Sequence, residues 1–180
     1  MTALFHFADP ALVFGDVGPP ITAQQIGQAI PEAFPGKDGF VDFYSTYNGL
    51  AFPGTAWFRR ERFHQVASSD YNRISLLDIY FIPRTPGEKD ENLQSMPRAR
   101  EIVARSRPEL RAFVDSHLPF AADGSGNDYW IELATGRVMW RVLEGFEGPS
   151  QLVEVAPAFL DFVANLEAKR RPGAGSGAAR

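Results

Sequence analysis

Apolar positions recur along this chain with two periods. In ITAQQIGQAIPEAF, Ile26, Ala29 and Ile30 fall three and four apart, the spacing of one helical face. Thr22 and Gln25 stand as a capping box, in which each side chain can satisfy the other's amide, and Pro31 ends or kinks the run. KDGFVDFYSTYNGL repeats the helical spacing with Phe40, Phe43, Tyr44 and Tyr47. Asn48-Gly49 is its natural stop, since either residue tolerates the left-handed conformation. LAFPGTAWFRRERF reads as extended structure around a Pro53-Gly54 turn. ISLLDIYFIP, from Ile74 to Ile82, reads as a buried strand that Pro83 closes.

Beyond a solvated loop, RTPGEKDEN, the stretch SMPRAREIVARSRPELRAFVDSH predicts two helical pieces that break before Pro108. Arg100, Ala104, Arg107 and Arg111 lie near one face. Such a basic stripe could dock an acidic partner or nucleic acid. The plainer reading is a solvated face with Glu101–Arg105 as an i,i+4 pair, because no aromatics interleave the arginines for stacking on bases.

The period then changes to two. DYWIEL sets Tyr129, Ile131 and Leu133 on one side and Trp130 and Glu132 on the other. RVMWRVLE alternates likewise with Val138, Trp140 and Val142, and ATGR between them completes a β-hairpin. VAPAFLDFVANLEAKRR returns to helical spacing, with Pro157 in the first turn and Val155, Phe159, Phe162, Val163 and Leu166 as the apolar stripe. Its last turn is basic, which suits the helix dipole. The glycine-rich end, residues 171–180, reads as a flexible tail outside the fold.

Composition narrows the chemistry. A chain of 180 residues that is 44% hydrophobic and carries 15 Phe is long and apolar enough to bury a ring-rich core. The absence of cysteine removes disulfides, thiolate metal sites and a cysteine nucleophile together, and fits a reducing compartment. No window approaches the ~18 consecutive apolar residues of a membrane span. MTALFHFADPALVFGD has no basic leader, so no secretory signal is expected. Together these point to a cytoplasmic protein.

The formal charge of −4 hides an asymmetry. All 22 acidic residues lie at or before Glu167, while four of the 18 basic ones fall in the last twelve positions. Residues 1–168 therefore carry 14 basic against 22 acidic side chains, a net −8. That body repels nucleic acid and attracts a cationic partner.

The most suggestive chemistry is DGSGND, where Asp123, Ser125, Asn127 and Asp128 offer hard oxygen ligands. An EF-hand loop starting at Asp123 needs a glutamate at position 134, which is Ala134. As a phosphate cradle the stretch lacks the dinucleotide fingerprint and the Lys-Ser/Thr of a P-loop, and it enters a strand instead of a helix. Gly and Asn do explain a tight reversal, so the loop is expected to turn the chain. His6, His64 and His117 are too far apart in sequence to form a metal motif, and His117 reads as a helix-end or packing residue. No GxSxG elbow is present. No residue stands out as nucleophile, base or ligand, so neither enzymatic activity nor a metal or cofactor is expected.

The order of the pieces resembles the SUKH superfamily, which includes a yeast regulator of cell-wall synthesis and many bacterial immunity proteins. The resemblance runs from about Ile21 to Leu166. It is carried by Leu118-Pro119-Phe120-Ala121 with Asp123-Gly124-Ser125-Gly126-Asn127, by the closing Ala156–Leu166 helix, and by the Asn48-Gly49 stop. Leu50 stands where the family usually has a further glycine, and residues 84–116 add helical, arginine-rich matter outside the pattern.

The resemblance implies one α+β domain over residues 1–170, a mainly antiparallel sheet flanked by helices, with Asn48 capping a helix and Phe120 and Phe159 filling the core. It also implies a non-catalytic protein that binds and neutralises a cognate toxin, often a nuclease, from a contact-dependent or secreted system. A basic toxin would suit the acidic body, with no nucleic acid or membrane as partner. The contact surface is expected among exposed groups around the hairpin, Asp123, Ser125, Asn127, Asp128, Glu132 and Arg141, with Arg59, Arg60 and Arg62 as the alternative. Two other readings stay open: a general interaction or regulatory module, and a small hydrolase or metal-binding protein using the Asp123–Asp128 loop.

Overall fold

The computed structural model describes residues 5–67, 71–143 and 151–168. The tail expected over 171–180 and the basic last turn at Lys169–Arg171 lie outside the described residues. Both early helices form as the apolar spacing predicts. Helix α1, Ala23–Ala29, opens on the full Thr22/Gln25 capping box. Helix α2, Lys37–Thr46, buries Phe40, Phe43 and Tyr44. Its stop is Gly49, at φ +84°, where a Cβ would lie 2.8 Å from the Phe81 side chain and 2.9 Å from its backbone. Only glycine fits both the backbone twist and that approach.

Asn48 does not cap α2, and that expectation is corrected: the cap position is Tyr47, whose amide donates to the Phe43 carbonyl. Asn48 instead lies buried and ties three segments together. Its amide nitrogen donates to the Pro19 and Ile82 carbonyls at 2.8 and 2.9 Å, and its oxygen accepts from the Ile82 amide at 2.8 Å.

Strand β1, Leu50–Arg59, is continuous. Pro53-Gly54 is not a turn between two segments but a bulge within β1, since the register with β2, Arg73–Ile79, shifts between Ala51 and Ala56. Proline lacks the amide a ladder needs, so the chain bows outward there without reversing. A short 3₁₀ turn, Arg60–Arg62, follows β1. Helices α3, Met96–Ser106, and α4, Arg111–Ser116, flank a second 3₁₀ turn at Pro108–Leu110, the break expected before Pro108. His117 ends α4 and starts β3, His117–Ala122. The hairpin is β4, Asp128–Glu132, and β5, Val138–Val142.

The closing segment is shorter in helix than its spacing predicts. Val155 and Ala156 belong to a strand, β6, Gln151–Ala156, and helix α5 spans only Phe159–Ala164. Glu167–Ala168 then forms β7 against Ala56 and Trp57 of β1. The Val155 and Leu166 positions are buried by the strand and by the turn after the helix, and at this short range a helical stripe and a bent strand–helix look alike.

The seven strands run antiparallel in the order β6-β5-β4-β3-β2-β1-β7. The sheet curls, so that Arg60, just past β1, donates to the Glu154 carbonyl of β6 at 3.0 Å. On one side Phe40, Phe43 and Tyr44 of α2 meet Phe159 of α5 and, through it, Phe120 of β3. On the other side Val103 of α3 and Val114 of α4 close over Trp130. The hairpin is thus buried on both faces, and Trp130 is core where the alternation alone leaves its environment open. This is the α+β architecture expected, an antiparallel sheet flanked by helices.

Candidate functional site

The Asp123–Asp128 loop turns the chain by consuming its own polar groups. Gly126 takes φ +89°, the reversal glycine is needed for. Oδ1 of Asp123 accepts from the amides of Ser125 at 2.7 Å and Asn127 at 3.0 Å, and Oδ2 accepts from the Asn127 side chain at 2.7 Å. The Asn127 oxygen accepts from the Leu143 amide at 2.8 Å and so ties the loop to the end of β5. An Asx turn whose Asp123 and Asn127 side-chain oxygens each accept an N–H group of the fold serves as scaffold.

Asp128 and Arg141 face each other in register across the hairpin. Arg141 Nε donates to Asp128 Oδ1 at 2.8 Å, its Nη2 donates to Oδ2, and the Trp130 indole donates to Oδ1 at 2.6 Å. Burial pushes the Asp128 carboxyl up, and Arg141 and Trp130 pull against that shift. The pair is an internal cross-strand clamp whose bidentate geometry suits arginine and carboxylate.

These contacts correct the expectation of an exposed surface here. Asp123, Asn127, Asp128 and Arg141 are all buried, because each has its hydrogen-bond partners inside the fold. Of the six groups expected to meet a partner, Ser125 is exposed and Glu132 half-buried. The alternative arginines are also engaged. Arg59 and Arg62 converge on Glu167 of β7, and Arg62 reaches Asn165. Burial raises the Glu167 carboxyl, but the two arginines outweigh it and hold it below its ordinary value. Arg60 fastens β1 to the Tyr71 and Glu154 carbonyls.

In the arginine stripe, Arg100 donates to Glu32 at 2.7 Å and to the Val114 carbonyl, joining α3 to the α1 side and to α4. Glu101–Arg105 forms the expected i,i+4 pair. His117 stacks on Phe113 at 4.1 Å, and burial lowers its pKa despite the Phe113 carbonyl at Nδ1. That is the packing role expected of it.

One group escaped the sequence reading. Pairing in register puts Asp78, Ala122, Asp128, Arg141 and Leu152 in one row across β2 to β6. Asp128 has Arg141; among the described residues Asp78 has no ion-pair partner, and its Oδ1 is buried without a hydrogen bond. Burial pushes its carboxyl up to about 6, opposed only by the Ala122 amide. The signal was present in the sequence as a lone carboxylate inside ISLLDIYFIP.

The model of the SMI1 / KNR4 family (SUKH-1) matches residues 26–165, from within α1 to the end of α5. The chain belongs to this family. The matched span contains Asn48-Gly49, Leu118-Pro119-Phe120-Ala121 and Asp123–Asn127, so the resemblance carried by those motifs is shown at the level of the family. No curated protein and no solved structure matches the chain. Among the described residues no helix is long and apolar enough to cross a membrane, and no group of three or more His, Asp or Glu side chains could hold a metal ion.

Proposed function

We propose that this member of the SMI1/KNR4 family is a non-catalytic binding protein that neutralises a cognate toxin by direct, stoichiometric association. Family membership over residues 26–165 carries the reading. In bacteria, the superfamily is typically one of immunity proteins directed at a toxin of the same cell. The polar residues that looked most chemical support it, since Asp123, Asn127, Asp128 and Arg141 are occupied with one another and with backbone. They hold a surface without working on a substrate.

A basic toxin suits the net −8 of residues 1–168, because opposite charge speeds encounter and penalises wrong partners. Ser125 and Glu132 remain available as contact groups, with the buried four as their support. The test is a protection assay: the chain is co-expressed with the toxin encoded beside it, and growth is followed. Rescue that requires a stoichiometric complex supports the reading. A neighbouring product that is not toxic, or rescue without complex formation, refutes it. A general interaction or regulatory module within the same family is the second reading, and several partners of similar affinity would favour it.

A further inference from the structure

The outward face of β1 and β2 combines an aromatic ring, guanidinium groups and an exposed leucine. On β2, Ile74 and Leu76 are buried, whereas Arg73 and Leu77 are exposed and Ser75 is half-buried, so the alternation puts these three on the side away from the core. Register pairs Arg59 with Arg73, and Trp57 with both Ser75 and Glu167, so all of these share that face. The Arg73 guanidinium lies over the Trp57 ring, 4.6 Å from its centroid. Beyond Ser75 the face runs into the β1 bulge, where Thr55 sits at φ +60°, a left-handed backbone that a β-branched residue adopts only when its surroundings force it. Phe52, Pro53, Gly54 and Thr55 there oppose Leu77 alone, and Leu77 is 43% exposed.

Resting on the protein-binding reading above, we propose that this face docks the protein partner: Arg73, held flat on Trp57, receives an aspartate or glutamate of the partner, and Leu77, farther along β2, packs against one of its apolar side chains. Stacking occupies the flat of the guanidinium and leaves the N–H donors in its plane, the fork from which a carboxylate accepts in bidentate fashion. The stack also holds a long side chain in place before the partner arrives, so less freedom is lost on binding. Charge selects an anionic group. Arg59, Arg62 and Arg73 meet here against Glu61 and Glu167, a positive island on a body, residues 1–168, of net −8. Arg59 and Arg62 hold the Glu167 carboxylate on this same face, which shows how such a group is received. The charge of the body disfavours nucleic acid as the anion. A basic toxin also carries carboxylates, so the acidic body speeds encounter while the island fixes orientation. Arg73 and Leu77 stand roughly 13 Å apart along the strand, and the partner must present its two groups at that spacing.

The test has two arms. In the first, N-acetyl-glutamate methylamide is titrated into the full chain, and the arginine Nε–H and indole N–H NMR signals are followed. A saturable shift at Arg73 at least twofold larger than at Arg98, an exposed arginine of α3, is expected. No saturable shift at Arg73, an equal one at Arg98, or a larger response to oligothymidylate at equal charge overturns the site. In the second arm the product of the adjacent gene is titrated. Arg73→Glu and Leu77→Asp should each weaken its binding at least tenfold. Arg98→Glu, which makes the same change of charge as Arg73→Glu, should change it less than twofold. All three positions are exposed, so the variants keep the fold, which thermal melts check. Unchanged affinity in Arg73→Glu, or an equal loss in Arg98→Glu, overturns this surface and leaves the protein-binding reading standing. A selective response to the probe with no complex formed by the wild-type chain keeps the carboxylate site and refutes that reading.

Discussion

Replacing Asp78 with asparagine should stabilise the protein at neutral pH. A folded-state value of about 6 against an ordinary 3.8, at about 1.4 kcal/mol per pH unit, puts the cost of keeping the carboxylate ionised at about 3 kcal/mol. The value is an upper figure because the side chain is not wholly enclosed. The sign follows from linkage. The folded state holds this proton more tightly than the unfolded chain, so the contribution is fully favourable below pH 3.8 and is lost as pH rises through about 6. Tyr80, Asp123, Asp128 and Arg141 bear on the same region and are unchanged by the substitution, so the difference between the two proteins isolates Asp78. Urea unfolding of wild type and Asp78→Asn at pH 4 and pH 7.5 measures it. The gap should be about 0.5 kcal/mol at the lower pH and should open to about 2–3 kcal/mol in favour of asparagine at the higher. A gap that does not change with pH, or a less stable Asn variant at pH 7.5, refutes the reasoning.

Other substitutions test the scaffold. Arg141→Ala leaves Asp128 buried without its cation and should cost about 3–5 kcal/mol in urea unfolding, whereas the double change Asp128→Leu with Arg141→Met should cost much less. Asp123→Ala removes the acceptor for three N–H donors and should destabilise by about 1–3 kcal/mol, with faster amide exchange at Ser125 and Asn127 as its local signature. Thr55→Gly should relieve backbone strain and raise stability by about 1 kcal/mol, and a loss of stability would show that the Thr55 side chain makes a contact worth more than the strain.

How far the fold was legible depended on the range over which each signal acts. The capping box at Thr22, the break before Pro108 and the hairpin from Asp128 to Val142 all rest on neighbours within a few residues, and all three formed as spacing and turn chemistry predict. Strand β7 and the strand half of VEVAPAFLDF were not legible. Glu167–Ala168 is a strand only because it lies beside Ala56 and Trp57, more than a hundred residues away. Asn48 has the same origin: as a helix stop it is a local residue, but its partners at Pro19 and Ile82 exist only in the assembled fold.

The candidate surface was misjudged for a related reason. Asp123, Asn127, Asp128 and Arg141 are polar residues around a glycine-rich turn, which in sequence reads as solvent-facing. They are buried because they satisfy one another and the Leu143 amide. Asp78 went unnoticed for the opposite reason, since an apolar run hides a carboxylate that has no ion-pair partner among the described residues.

The central claim is that this protein acts by gripping a basic protein partner, and calorimetric titration of the purified chain with the product of the adjacent gene tests that most directly. The account predicts a saturable one-to-one complex whose association slows with added salt. Toxin neutralised with no measurable heat or complex, or turned over by catalytic amounts of the chain, would contradict it.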